Sequence, residues 1–183
     1  MAEKVSTRRQ AREWAIQMLT SADLNPPLIV REFMDTFWEQ LASLDESEGH
    51  AKPRSSLRAF AEERVAGVLE KKDEIDAILI PMLDNWDINR LGTIERAVLR
   101  MGVWEMKFSD VPPPVVINEA IDLTNWFASR RARKLVNAVL DRFAKNLTGA
   151  GEGEKSEPGN GEDEKSDKPA PDEAASEKSG QES

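Results

Sequence analysis

The chain predicts an all-α fold of about seven helices, and three features of the sequence carry that expectation. Apolar residues recur at spacings of three, four and seven along most of the first 147 positions, the mark of helices with one buried face. No stretch alternates with the two-residue period of a strand. The run 91–108, LGTIERAVLRMGVWEMKF, is apolar around most of its circumference, so other helices must surround it.

The first helix begins near Thr7, because Thr7 and Gln10 have the spacing of a capping box. Ala11, Trp14, Ala15, Met18, Leu19 and Ala22 form its buried face, and Asn25-Pro26-Pro27 stops it. Arg8, Arg9 and Arg12 fall within an arc of about 100° beside that face, in or next to the first turn. Free N–H groups, the helix dipole and guanidinium forks together make an anion site. A solvated basic start to a helix would carry the same residues.

The second helix, 28–44, places Ile29, Phe33, Phe37 and Leu41 at successive i+4 positions, with Met34, Trp38 and Leu44 beside them as a core stripe. A polar loop, 45–56, follows, and Ser55 or Ser56 caps a third helix built on Leu57, Phe60, Ala61, Val65, Val68 and Leu69. The charged stretch 70–74 either continues this helix or turns it. A fourth helix buries Ile75, Ile78, Leu79, Met82 and Leu83, with Pro81 at a kink or boundary.

In the core helix, Ile94, Ala97, Val98, Met101 and Phe108 share one face, while Leu99, Val103 and Met106 make a second. Arg96, Arg100 and Lys107 are expected to form a narrow wet strip. Glu105 projects into the first apolar face, where a carboxylate needs donors. The segment DVPPPVVINEAI supplies them if Pro114 opens the next helix with free N–H groups beyond it, so Glu105 reads as a structural cap rather than a catalytic acid. The sixth helix, 115–127, faces inward with Ile117, Ala120, Ile121 and Thr124. The last, 131–147, does so with Leu135, Val136, Val139, Leu140, Phe143 and Leu147. Between them Ser129-Arg130-Arg131-Ala132-Arg133-Lys134 is a second basic cluster, which on its own reads as a solvated face.

Residues 148–183 hold eleven acids and four lysines, so −7 of the net −9 lies there and the body, 1–147, is nearly balanced. With no apolar residue larger than alanine after Thr148, this end cannot offset its chain entropy and is expected to be a disordered acidic tail. Its acidity says nothing against an anionic partner for the body. Cysteine is absent and His50 is the single histidine, which leaves no thiol nucleophile, no cysteine-ligated zinc and no basis for a Ser–His–Asp arrangement. No glycine-rich phosphate loop, signal peptide or membrane span is visible, so a cytoplasmic, non-enzymatic protein without cofactor or metal is expected.

Four segments in register carry a resemblance: Arg8-Arg9-Gln10-Ala11-Arg12-Glu13; Ile94-Glu95-Arg96-Ala97-Val98-Leu99-Arg100-Met101 with Glu105; Val116-Ile117-Asn118-Glu119-Ala120-Ile121-Asp122-Leu123; and Leu135-Val136-Asn137-Ala138-Val139-Leu140-Asp141. Together, across the whole body, they resemble the NusB family of transcription antitermination proteins. The resemblance implies two small packed helical bundles, no catalysis, and binding to the boxA element of ribosomal RNA leader transcripts together with NusE, a small-subunit ribosomal protein. That complex is loaded on RNA polymerase and suppresses premature termination. Carried over by position, the RNA-contacting arginines are Arg8, Arg9 and Arg12, with Arg130, Arg131, Arg133 and Lys134 as secondary contacts, and Glu105 and Asn118 as structural positions. Gln10 stands where many members have arginine, Thr20 where an aromatic is common, and Arg130 and Arg131 where acids are frequent. The tail lies outside the family pattern and is either inert or a competitor of RNA for the basic sites.

Two other readings share these residues. Some RNA cytosine methyltransferases carry a NusB-like N-terminal domain, but an α/β cofactor-binding domain would have to follow, where this sequence runs into its tail. A protein–protein scaffold whose arginines never meet RNA is the other. Some relatives also form a homodimer that hides the RNA surface.

Overall fold

Seven α-helices are present among the described residues: α1 (Arg8–Leu24), α2 (Val30–Glu48), α3 (Ser55–Glu70), α4 (Lys72–Leu79), α5 (Thr93–Phe108), α6 (Pro113–Phe127) and α7 (Arg130–Leu147). Short 3-10 turns at Ile80–Met82 and Ile88–Arg90 lie between α4 and α5. The computed structural model describes residues 7–48, 53–84, 86–127 and 130–149; His50 and the acidic end lie outside the described residues. No strand occurs among the described residues, and none of their helices is long and apolar enough to cross a membrane.

Helix α5 is the centre. It packs against α1, α3 and α4 on one side and α6 and α7 on the other, so two bundles share one helix. Every residue from Ala97 to Met106 is buried, as an all-round apolar helix requires. Two glycines permit close approaches between helices. A side chain at Gly67 of α3 would run into the Trp104 indole, and one at Gly102 of α5 would meet the Leu140 methyl groups of α7. Burial of side chains such as Leu99, Leu123 and Leu140 contributes about 1.5–3 kcal/mol each.

Helix α1 starts where the capping spacing predicts. Thr7 is the N-cap, its hydroxyl accepts from the Gln10 N–H at 3.4 Å, and all six residues expected on the apolar face are buried. Helix α2 differs at both ends. It begins at Val30, leaving Leu28 and Ile29 exposed, and runs through the expected loop to Glu48. The pair Pro26-Pro27 keeps Asn25 out of helical backbone and so ends α1. Trp38 holds α2 to α1 by an edge-on contact with Trp14, centroids 5.4 Å apart. Helix α3 is preceded by Arg54 and has no side-chain cap, so neither Ser55 nor Ser56 acts as expected. The charged 70–74 stretch turns at Lys71, and Pro81 sits in the first 3-10 turn, at the end of α4. Leu147, expected in the core, is exposed at the last residue of α7.

The wet strip expected on α5 is mostly dry. Arg100 is buried, its guanidinium donating to Asp76 of α4 and Asp23 of α1, while Arg96 donates to Asp23 and to the Leu91 carbonyl. Only Lys107 of the three is exposed, paired with Glu74. Polar residues on the back of an apolar helix turn out to be the pins that hold α1 and α4 to it.

Candidate nucleic-acid interface

The side chains of the first turn of α1 divide by depth. Helix α1 lies beside α5 and α3, and residues three apart on a helix share a face, so Arg9 and Arg12 both point across the junction with α6 and α5. Arg12 is 4% exposed. Its Nε donates to both Glu105 oxygens at 3.1 Å, and its Nη1 lies 3.6 Å from Glu119. Arg9 lies nearer the surface, with Nε and Nη2 donating to the two Glu119 oxygens at 3.3 and 3.1 Å and Nη2 also paired with Asp122. Arg8 forms no ion pair among the described residues; it is exposed and its guanidinium lies over the Phe60 ring, 5.6 Å from the centroid.

A chain of alternating charges therefore crosses the protein: Asp122, Arg9, Glu119, Arg12, Glu105, Arg64, Glu63. Glu105 is its centre, 1% exposed, bound by Arg12 from α1 and by Arg64 from α3, whose Nε donates at 2.5 Å. This corrects the expected role of Glu105. Its carboxylate binds two guanidinium groups, and the start of α6 is satisfied by its own backbone, since the Val115 and Val116 N–H groups donate to the Pro112 carbonyl. Guanidiniums win because they bring a compensating charge, which backbone amides do not.

Charge and burial act oppositely along the chain. Burial is the largest influence on Arg64 and pushes its pKa down, despite the hydrogen bond and charge of Glu105. On Arg9, hydrogen bonding to Glu119 is the largest influence and, with the charges of Glu119 and Asp122, raises the pKa against the opposing effect of burial. Both remain charged at neutral pH, as arginine does in proteins.

Arg12, expected to contact phosphate, is buried, with its guanidinium on Glu105 and Glu119. Helix α6 links the two basic clusters. Glu119 and Asp122 meet Arg9, and three residues on, the side-chain Oδ1 of Asn125 accepts from Arg133 Nη1 at 2.8 Å. Lys134 is exposed, and Arg130 and Arg131 form the first turn of α7, their side chains outside the described residues. Asn118, expected to be structural, is exposed on α6 with no side-chain hydrogen bond among the described residues. The residues missed in the sequence are Arg64 and Phe60. Arg64 lies between Ala61 and Val68 on the apolar stripe of α3, and an arginine there is itself a signal that a buried carboxylate is near.

Residues 9–145 match the family model described as the NusB family. The transcription antitermination protein NusB of a Nitratiruptor species is 37% identical over 143 residues, covering 78% of this chain and 95% of that protein. That of Campylobacter concisus is 36% identical, covering 78% and 100%. Among solved structures, T. maritima NusB matches with a TM-score of 0.64 at 27% identity, over 76% of this chain and 92% of that one. A crystal structure of antitermination factors NusB and NusE in complex with dsRNA matches with a TM-score of 0.60 at 29% identity, over 76% and 96%. The helical fold, the family match along the body and full-length relatives at this identity agree: the chain belongs to the NusB family.

Proposed function

We propose that this protein is a cytoplasmic, non-enzymatic transcription antitermination factor that binds boxA RNA of ribosomal RNA transcripts together with NusE and joins an antitermination complex on RNA polymerase. The observation that carries the proposal is the alignment of the two basic helix starts along α6, with Arg8, which has no carboxylate partner among the described residues, and half-exposed Arg9 at one end and Arg133 and Lys134 at the other. The likeness of the whole chain to a relative solved with NusE and dsRNA supports RNA as the anion. Arg8, Arg9, Arg133 and Lys134 act as phosphate contacts, with Arg130 and Arg131 extending the basic edge; such contacts supply affinity that falls with salt and set register without reading bases. NusE completes the surface that reads unpaired bases.

The test is a titration of fluorescent boxA RNA and a scrambled RNA of equal length, with and without NusE. Arg8→Ala and Arg9→Ala are combined, and Arg12 is left intact, because its loss would take from buried Glu105 one of its two guanidinium partners. Selective binding that NusE enhances and the double variant loses is expected. Equal binding of both RNAs, unaffected by the double variant, would overturn the reading and favour a scaffold.

A further inference from the structure

Arg9 offers a phosphate less than a free arginine does, and the reason is the placement of Asp122. A guanidinium has five N–H donors and two edges able to grip an oxyanion bidentately, the side edge with Nε and one Nη, and the end edge with both Nη groups. Glu119 takes the side edge, through Nε and Nη2. Asp122 pairs with the same Nη2 and so occupies half of the end edge. Only the Nη1 donors are left for an incoming oxyanion. The two carboxylates differ in depth. Glu119 is 19% exposed and also faces Arg12, which fixes it in the frame, whereas Asp122 is 41% exposed and, among the described residues, pairs with Arg9 alone.

We infer that Asp122 is an affinity-setting residue of the RNA site, an intramolecular carboxylate that competes with RNA phosphate for the end edge of the Arg9 guanidinium. Glu119 holds Arg9 in place, and Asp122 withholds it until a phosphate is presented in register. The competition is blind to sequence, so it weakens every RNA equally at this contact and leaves selectivity to the contacts that read bases. Asp122 is a positioning and competing group for Arg9, with no need to touch RNA itself. The inference rests on the RNA-binding reading above.

Asp122→Asn keeps the size of the side chain and removes its charge. In the titration with NusE, it is expected to tighten both boxA and scrambled RNA about two- to fivefold, the scale of one exposed ion pair. It also steepens the dependence of log Kd on log salt by about one, as one added phosphate contact does. The same substitution in an Arg9→Ala background separates local competition from the general loss of a negative charge. Competition predicts that the gain disappears there. A gain of equal size in both backgrounds would show a field effect and overturn the inference, as would unchanged or weaker binding by Asp122→Asn. Either result leaves the antitermination reading standing, whereas wild-type protein that binds neither RNA with NusE overturns both.

Discussion

Arg9 and Arg12 sit one turn apart on α1, and both face Glu119, yet the two ends of this charge chain do opposite work. At the inner end, Glu105, Arg12 and Arg64 are all under 5% exposed, and the two guanidiniums find their counter-charges in Glu105, Glu119 and Glu63. At the outer end, Arg9 and Asp122 are each 41% exposed and exchange with solvent. Residue type is the same; dielectric is not. A desolvated ion pair cannot lose a partner without leaving a bare charge, whereas an exposed one can trade its partner for water or phosphate.

Removing the centre of the inner end gives the largest expected effect. Glu105→Ala strands two buried guanidinium groups and is expected to lower unfolding free energy by about 3–5 kcal/mol in urea titration. A loss near zero would mean that water reaches Arg12 and Arg64 and that the two ends do not differ in kind.

An intermediate effect is expected where α1 meets the core helix. Asp23 accepts from Arg96 and Arg100, so Asp23→Asn is expected to cost about 1.5–3 kcal/mol at neutral pH. Burial raises the pKa of Asp23, but hydrogen bonds and charges from Arg100 and Arg96 outweigh it and hold the carboxyl below its ordinary value. The unfolded chain then binds the proton more readily than the folded one. The stabilisation is complete above the ordinary aspartate range, near pH 3.9, and is lost as pH falls through the lower folded value. Urea midpoints should be level above about pH 5 and drop below about pH 4, with a shallower drop in Asp23→Asn. An identical acid limb in the variant would remove Asp23 from the account.

The smallest stability effect belongs to the outer end. Arg9→Ala is expected to change unfolding free energy by less than about 1 kcal/mol, since its pairs are screened by solvent. It should nonetheless weaken RNA binding. A stability loss as large as that of Glu105→Ala would make the whole chain of charges one structural unit and erase the distinction.

The helices of this fold were legible in the sequence because periodicity is a local property. The Thr7 cap, the buried face of α1 and the all-round apolar α5 each follow from residues within one turn of one another. Failures cluster where a distant residue decides. Glu105 could be seen to need donors, yet Arg64 is 41 positions away and on another helix. Arg100 reads as a wet residue until Asp23 and Asp76 arrive from 77 and 24 positions away.

The sequence by itself determined the seven helices, the central place of α5, the family and the concentration of arginine at the starts of α1 and α7. Only the tertiary structure decided which arginine does what. On an isolated helix Arg8, Arg9 and Arg12 differ by position alone. Packing against α3, α5 and α6 puts Arg8 on an aromatic ring in water, Arg9 between two carboxylates at the surface, and Arg12 beneath both on a buried one. The free energy of a charge depends on its solvent and its counter-charges, and both are assembled by helices far apart in the chain.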